Sequence, residues 1–304
     1  MANLFNLKSN LPFTRYAISR GETKCPACHT VERRLIARMD RRLKRLNHVA
    51  CDKCSLIRQY PLPSEEDLAA YYQDFYRSDY QKTVEPTEKH IEKRQQEAAH
   101  RLAHLSPLLV SGAEIIDFGC GSGEFVAACN SVGFIGKGFE PGSGYATFAS
   151  RTQGLNVENK GWQDYDVDTP ADAVASFHVF EHLVDPVAAL RKAQSWIKPD
   201  GLIYIEVPDT QHFIEKKGFG CLHMAHTLAF TNFTLEYVGA LCGMEIVKQG
   251  IQGDCGIIFR AGKPRELAKI EADARAQSEE WTKDMVHRKF WAYTFGKLRS
   301  AQAW

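Results

Sequence analysis

The run Ile115-Ile116-Asp117-Phe118-Gly119-Cys120-Gly121-Ser122-Gly123-Glu124-Phe125 constrains this chain most, because it reads as an apolar strand that turns through glycines directly into a helix. Gly119, Gly121 and Gly123 allow a tight turn and close approach of a ligand to the backbone, while the N–H groups of the following helix point into the same space. A dinucleotide fingerprint needs a further glycine at the sixth place, beside a pyrophosphate. That place holds Glu124, whose carboxylate repels a diphosphate and suits a nucleotide-type ligand carrying positive charge. Asp117 at the strand end is placed to meet an ammonium group. Glu140 closes a second expected strand about twenty positions after the glycines, where an acid accepts both ribose hydroxyls.

From Glu114 to Gly262 strand and helix patterns alternate, which predicts an α/β fold with a parallel sheet covered on both faces. Strands are expected near 114–118, 134–139, 155–158, 173–177, 202–207, 245–250 and 256–261, and helices near 123–132, 143–152, 186–197 and 234–242. Gly133, Gly154 and Gly243 each follow a helix where a C-terminal cap belongs. The chain divides into a cysteine-bearing module (1–63) ending in Pro61-Leu62-Pro63, a helical connector (64–110), the core (111–263) and a C-terminal helical extension (264–304). In the connector, Ser64 with Asp67 resembles a capping box, and Glu88–Leu105 reads as a polar helix with Ile91, Leu102 and Leu105 as its sparse apolar positions. Trp281, Phe290, Trp291 and Phe295 mark the extension as a cap, a lid or a dimer contact; the sequence leaves the choice and the oligomeric state open.

A length of 304 residues suits one large α/β domain plus a small module, and 44% apolar with 25% charged residues is ordinary for a soluble globular protein. Met1 to Phe13 lacks the basic start and unbroken apolar run of a signal peptide, and no membrane span is evident, so the expected location is cytoplasmic. A net charge of +1 argues against a nucleic-acid partner. The local exception is Arg33 to Arg45, where Arg33, Arg34, Arg38, Arg41, Arg42, Lys44 and Arg45 face only Asp40. It reads as a solvated, mobile connector within the module, or as a contact for a phosphorylated substrate or acidic partner.

Cys25-Pro26-Ala27-Cys28 and Cys51-Asp52-Lys53-Cys54 can present two thiolates each from a tight knuckle, and two knuckles complete a tetrahedral zinc site, the expected reading over redox chemistry or unused thiols. Four sulfurs leave no position for water, so the zinc is expected to be structural, with Cys25, Cys28, Cys51 and Cys54 as its ligands.

The sequence resembles the class I S-adenosylmethionine-dependent methyltransferases over about half its length. The resemblance rests on Ile115 to Glu124, Phe139-Glu140-Pro141, Gly161-Trp162-Gln163-Asp164, Phe177 to Pro186 and Ile197 to Pro208. It implies a seven-stranded, doubly wound Rossmann-like sheet with one antiparallel strand, the hairpin of 245–250 and 256–261 coming last. S-adenosylmethionine, with its ammonium and sulfonium, has the positive charge that the glycine loop favours. The resemblance implies cofactor contacts at Asp117, Gly119, Gly121, Gly123, Glu140, Pro141, Trp162, Gln163, Asp164, Phe177 and His178, with the adenine flanked by Trp162, Gln163 and Asp164. Asp117 and Asp164 also suit ordinary turn positions.

Glu181-His182 falls just after the fourth strand, at the sheet edge where ligands bind. Histidine as a residue type can take a proton at neutral pH, which makes His182 a candidate base for the acceptor's proton, although the pair also suits packing or loop geometry, and in-line positioning can supply much of the rate. His226 matches the acceptor side of relatives; His223 is as well explained as a core or surface histidine. A metal held by His223 and His226 lacks a third ligand in the local sequence.

A cysteine-knuckle module, a tyrosine-rich stretch (Tyr71, Tyr72, Phe75, Tyr76, Tyr80) and a methyltransferase core together resemble a subgroup that includes sugar, polysaccharide and natural-product methyltransferases. The implied partner is a small-molecule acceptor, carbohydrate-type or nucleotide-linked. The best-known sugar C-methyltransferases carry an additional C-terminal domain, which here shrinks to helices. The alternative is an RNA methyltransferase that grips nucleic acid through its zinc module and the Arg33 to Arg45 cluster.

Overall fold

A computed structural model describes residues 13–16, 18, 21–74, 88–250 and 254–280. Its strands in chain order are β1 (Arg33–Met39), β2 (Arg45–Cys51), β3 (Ile57–Tyr60), β4 (Glu114–Phe118), β5 (Ile135–Phe139), β6 (Val157–Glu158), β7 (Ala171–Phe177), β8 (Ile197–Val207), β9 (Leu228–Ala229), β10 (Met244–Gln249) and β11 (Cys255–Ala261). Seven of them form one sheet in the order β10-β11-β8-β7-β4-β5-β6. The pairs among β4, β5, β6, β7 and β8 are parallel, and β11 runs antiparallel to both of its neighbours, β8 and β10. The expected seven-stranded Rossmann-like sheet with one antiparallel strand is present.

The central strands are apolar on both faces because helices cover both. Ile115, Ile116 and Phe118 of β4, and Ala173, Val174 and Ala175 of β7, are all buried. One face packs on an aromatic group in which Phe118, Phe139, Tyr165, Phe180 and Trp196 meet edge-on or tilted. The helix Glu88–Leu105 closes the other through Ala98, Leu102 and Leu105. Ser64 and Asp67 form the reciprocal cap at the start of helix Glu65–Asp74, each accepting the other's backbone N–H at 3.2 Å.

Several elements differ from expectation. The helix expected over 143–152 is α-helical only over Ser143–Thr147 and widens into a π turn over Phe148–Thr152. The helix expected over 186–197 ends at Gln194, and β8 already begins at Ile197. Ala171 pairs with Ile197 and Ala173 with Leu202, so Lys198 to Gly201 bulge from the ladder; Pro199, which has no N–H to give, sits in that bulge. Helix Asn232–Leu241 starts two residues early because Thr231 and Thr234 make a capping box. Helix Thr210–Lys217 had no counterpart in the sequence pattern.

The largest correction concerns the basic stretch. Arg33 to Arg45 is not a mobile connector; it is β1 and the turn of a hairpin with β2, with Ile36, Ala37, Leu46, Val49 and Ala50 buried between charged neighbours. Asp40 is buried at the turn and accepts from Tyr16 Oη (2.5 Å) and from the N–H groups of Arg42 (2.9 Å) and Lys44 (3.0 Å). Lys44 is itself buried and donates to Thr14 Oγ1 at 2.6 Å. Arg33 lies over the Tyr60 ring, and Arg34 donates to Ser278 Oγ. Lys44 and Arg33 thus find partners inside the module, and Arg34 finds one outside it.

The second sheet has the order β1-β2-β3-β9, all antiparallel. Its last strand comes from the segment after β8, so the cysteine module shares a sheet with a segment of the core. A helix over residues 267–280 packs Ile270 into the main core. Trp281, Phe290, Trp291 and Phe295 lie outside the described residues, as do Phe75, Tyr76 and Tyr80. Tyr71 is buried with Leu46, Leu68, Met224 and Ala225. Among the described residues no helix is long and apolar enough to cross a membrane.

Candidate active site and cysteine cluster

The carboxyl ends of β4, β5 and β7 converge on the glycine loop. At Gly119 (φ 75°) a Cβ would stand 2.7 Å from Val179 Cγ2, so the loop and the segment after β7 approach each other over a bare backbone. At Gly121 (φ 55°) a Cβ would meet nothing within 4 Å, because this residue faces open space at the mouth of the site. Gly123, also left-handed, hands the chain to helix Glu124–Ser131. Ser122 Oγ donates to Glu124 Oε1 at 2.5 Å, which places Glu124 on the loop itself.

Glu140 spans that loop and the next turn. Its Oε2 accepts from Gly121 N–H at 3.1 Å, and its Oε1 from Gly142 N–H at 2.7 Å. Asn159 donates to the carbonyls of Glu140 and Pro141 and fixes their backbone. Burial raises the Glu140 carboxyl, and the two amide donors partly offset it. Burial also pushes Asp117 up to about 8, with Glu124 and Glu140 adding to the effect and Arg101 opposing it. Three acids thus line a water-poor loop, an arrangement that a cationic ligand relieves.

Trp162 lies half-buried against the core, whereas Gln163 and Asp164 stand exposed in the turn after β6. The Phe177 ring sits among Phe125 (4.7 Å), Tyr204 (5.0 Å) and the Arg101 guanidinium (4.5 Å). His178, at φ 58°, turns toward acids: Nδ1 lies 3.6 Å from Glu181, and Nε2 lies 3.6 Å from Glu206 and 3.7 Å from Asp254. Burial lowers the His178 imidazole, but Glu181 and Asp254 outweigh it and leave the group raised. Arg101 binds Glu206 through Nε (2.8 Å) and Nη2 (2.5 Å), and Tyr204 Oη donates to the same carboxylate at 3.1 Å.

Arg101, Glu206 and Asp254 are site residues that sequence reasoning missed. A trace was available for Glu206, an acid interrupting the apolar run of β8. Arg101 had none, since one more cation on a polar helix is unremarkable in sequence.

Glu181, His182 and His226 come together next to this loop. His182 Nδ1 lies 2.7 Å from the Ala225 carbonyl, which can only accept, so Nδ1 carries the hydrogen and Nε2 the lone pair of the neutral ring. That nitrogen is 3.8 Å from Glu181 Oε1. The His182 and His226 rings are 4.8 Å apart, and His223 stacks at 3.8 Å from His226. Burial and the neighbouring histidines hold His226 and His223 well below the usual imidazole range. Gln59 of β3 donates to the carbonyls of His223 (3.1 Å), Met224 (2.9 Å) and His226 (3.0 Å), tying the histidine loop to the cysteine module.

In that module the knuckles repeat each other. Cys25 N–H donates to Thr30 O and His29 N–H to Cys25 O; Cys51 N–H donates to Leu56 O and Ser55 N–H to Cys51 O. His29 and Ser55 take the same left-handed turn, at φ 58° and 62°. The sulfurs stand 3.4 Å (Cys28–Cys51) and 3.6 Å (Cys25–Cys54, Cys28–Cys54) apart, without a disulfide. Four sulfurs at ~2.3 Å from a tetrahedral ion would be about 3.8 Å apart, so this donor set fits a zinc ion. Crowding by neighbouring sulfurs raises the Cys25 and Cys54 thiols and lowers Cys28. Without a cation, four thiolates could not coexist there.

Residues 90–239 match a family model described as "Methyltransferase domain". The magnesium protoporphyrin IX methyltransferase of Synechocystis PCC 6803, solved with S-adenosylhomocysteine, is 13% identical with a TM-score of 0.50, over 64% of this chain and 99% of that one. A SAM-dependent methyltransferase from Archaeoglobus fulgidus is 19% identical with a TM-score of 0.46, over 54% and 93% of the two chains. No curated protein matches the chain significantly. Fold and family match together define a class I S-adenosylmethionine-dependent methyltransferase domain. The protein is therefore an S-adenosylmethionine-dependent methyltransferase.

Proposed function

We propose that the protein transfers the methyl group of S-adenosylmethionine to a small carbohydrate-type acceptor, a sugar or nucleotide-linked sugar, and that Cys25, Cys28, Cys51 and Cys54 hold a structural zinc ion. When bound, the cofactor supplies a methyl carbon already activated by a sulfonium. Everything else falls to the chain. Gly119, Gly121 and Gly123 admit the ligand to bare backbone, Asp117 receives its ammonium and Glu140 its ribose hydroxyls. Pro141, Trp162, Gln163 and Asp164 border the adenine side, and Phe177 and His178 form the floor beneath the transfer.

The acceptor enters at Glu181, His182 and His226, where its nucleophilic atom loses a proton. The observation that carries this reading is the Gln59 bridge, which makes the cysteine module part of the wall around that corner. A corner of imidazoles and a carboxylate suits a polyhydroxylated acceptor better than an apolar one. Of the cluster on which the RNA alternative rests, Lys44 is buried on Thr14, Arg33 lies over the Tyr60 ring and Arg34 donates to Ser278 Oγ.

Incubation with labelled cofactor and a panel of free and nucleotide-linked sugars is expected to yield a product heavier by one methyl group. Tight cofactor binding with no transfer to any sugar would discard the carbohydrate assignment. His182→Ala is expected to lower kcat roughly a hundredfold while leaving cofactor affinity unchanged; turnover near wild type would remove His182 from proton transfer.

Asp117 gives a pH signature. A cationic ligand favours the ionised carboxylate, so binding below pH ~8 must expel a proton. Affinity should then fall with decreasing pH by up to about tenfold per unit. Calorimetry from about pH 7.5 to 6, where the ligand's amino group is protonated, should show this slope in the wild type and a shallower one in Asp117→Asn, in which the raised Glu140 carboxyl remains. A flat wild-type profile would take Asp117 out of the ammonium site.

A further inference from the structure

We propose that Glu181, His182 and His226 form a second metal site, taking a divalent first-row transition cation on the acceptor side of the cofactor. This rests on the reading of that corner as the acceptor side and specifies how the acceptor is held there. One ligand atom from each of the three residues lies within 4.8 Å of the other two. Two imidazoles and a carboxylate match the donor set that N/O-preferring metals such as manganese, iron, cobalt and zinc accept.

Glu181 is the observation that points to a missing ligand. Its side chain is 2% exposed, yet neither carboxylate oxygen accepts a hydrogen bond. A buried carboxylate in that condition is costly, and the great majority of buried polar atoms are partnered. The imidazoles at 3.6 and 3.8 Å stand beyond hydrogen-bond reach. His178 also faces Glu206 and Asp254, and Arg101 is committed to Glu206. Glu181, Glu206 and Asp254 therefore share one guanidinium and the imidazoles of His178 and His182, and neither imidazole comes within hydrogen-bond distance of Glu181.

The orientation of His182 fits as well. A metal-bound histidine almost always gives its other ring N–H to a carbonyl or carboxylate, and Nδ1 of His182 meets the Ala225 carbonyl, turning the Nε2 lone pair toward Glu181. Gln59 fixes the backbone that carries His226. Three protein ligands leave coordination positions open, as in catalytic rather than closed structural sites. An acceptor hydroxyl bound there would be acidified and fixed for attack, so that His182, its Nε2 taken by the cation, would promote proton loss as a ligand, with the proton passing to solvent.

The test uses the full chain and manganese(II) alone, which has little affinity for the all-sulfur site and reports binding by loss of its free-ion electron paramagnetic resonance signal. The wild type should bind one equivalent. Glu181→Gln and His226→Ala should each bind at least tenfold more weakly, with unchanged binding of S-adenosylmethionine by calorimetry showing that they are folded. No uptake by the wild type at millimolar metal, or undiminished uptake in both folded variants, overturns the site. Because the readout needs no turnover, it separates from the proposed function. Manganese uptake without sugar methylation would spare the site and sink the sugar assignment; sugar methylation without manganese uptake would do the reverse.

Discussion

Glu140→Ala is expected to weaken S-adenosylmethionine binding by about 4 kcal/mol, roughly a thousandfold in Kd. The magnitude follows from two ribose hydroxyls that would each donate to a charged acceptor, at about 1.5–3 kcal/mol per bond. The same substitution strands the Gly121 and Gly142 N–H groups, which at present donate to Glu140 at 3.1 and 2.7 Å. Glu140→Gln separates the two effects. Its amide oxygen can still accept from one backbone N–H, but its charge is gone, so an intermediate loss is expected. Calorimetric titration of both variants checks the order. An alanine variant that binds the cofactor within a few-fold of wild type would falsify the ribose assignment and leave Glu140 a strut between two turns.

Legibility in the sequence followed the length scale of each interaction. The glycine loop and Glu140 were readable because backbone conformation and strand-to-strand distance fix their spacing locally. The cap made by Ser64 and Asp67, and helix Glu88–Leu105, were readable for the same reason. The β1–β2 hairpin was hidden by its charges: Arg33, Arg34 and Arg38 obscure the inward positions of Ile36 and Ala37, and the partners of Arg33 and Arg34, Tyr60 and Ser278, lie far along the chain. The two-residue β9 has no periodicity to detect, yet it joins the module to the core. The Arg101–Glu206 pair is likewise a long-range event, between a helix and a strand that sequence pattern cannot juxtapose. The grouping of Glu181, His182 and His226 is also long-range: it replaces His223, the partner that local sequence offered to His226, with two residues from the segment after β7.

That long-range joining makes Cys28→Ser the most damaging single change expected. A serine hydroxyl is a poor zinc ligand, and the remaining three sulfurs would hold the ion far less tightly. Structural zinc in small modules supplies on the order of 10 kcal/mol of apparent binding free energy, which there serves as folding free energy. The apolar residues nearest the ion, Ala27, Leu56 and Leu62, pack with the sulfurs themselves and continue into the main core, while Ile36, Ala50 and Ile57 form a separate small cluster. Loss of the ion should therefore loosen β1, β2 and β3, and with them the Gln59 amide that holds the carbonyls of His223, Met224 and His226. The expected variant carries no stoichiometric zinc by elemental analysis and is cut early by protease between residues 21 and 62. It still binds S-adenosylmethionine, because β4, β5 and the glycine loop lie in the other sheet, but it no longer turns over. A Cys28→Ser protein with wild-type zinc content and protease resistance would show that the four sulfurs do not act as one ligand set. A metal-free variant with full activity would instead detach the cysteine module from the acceptor side.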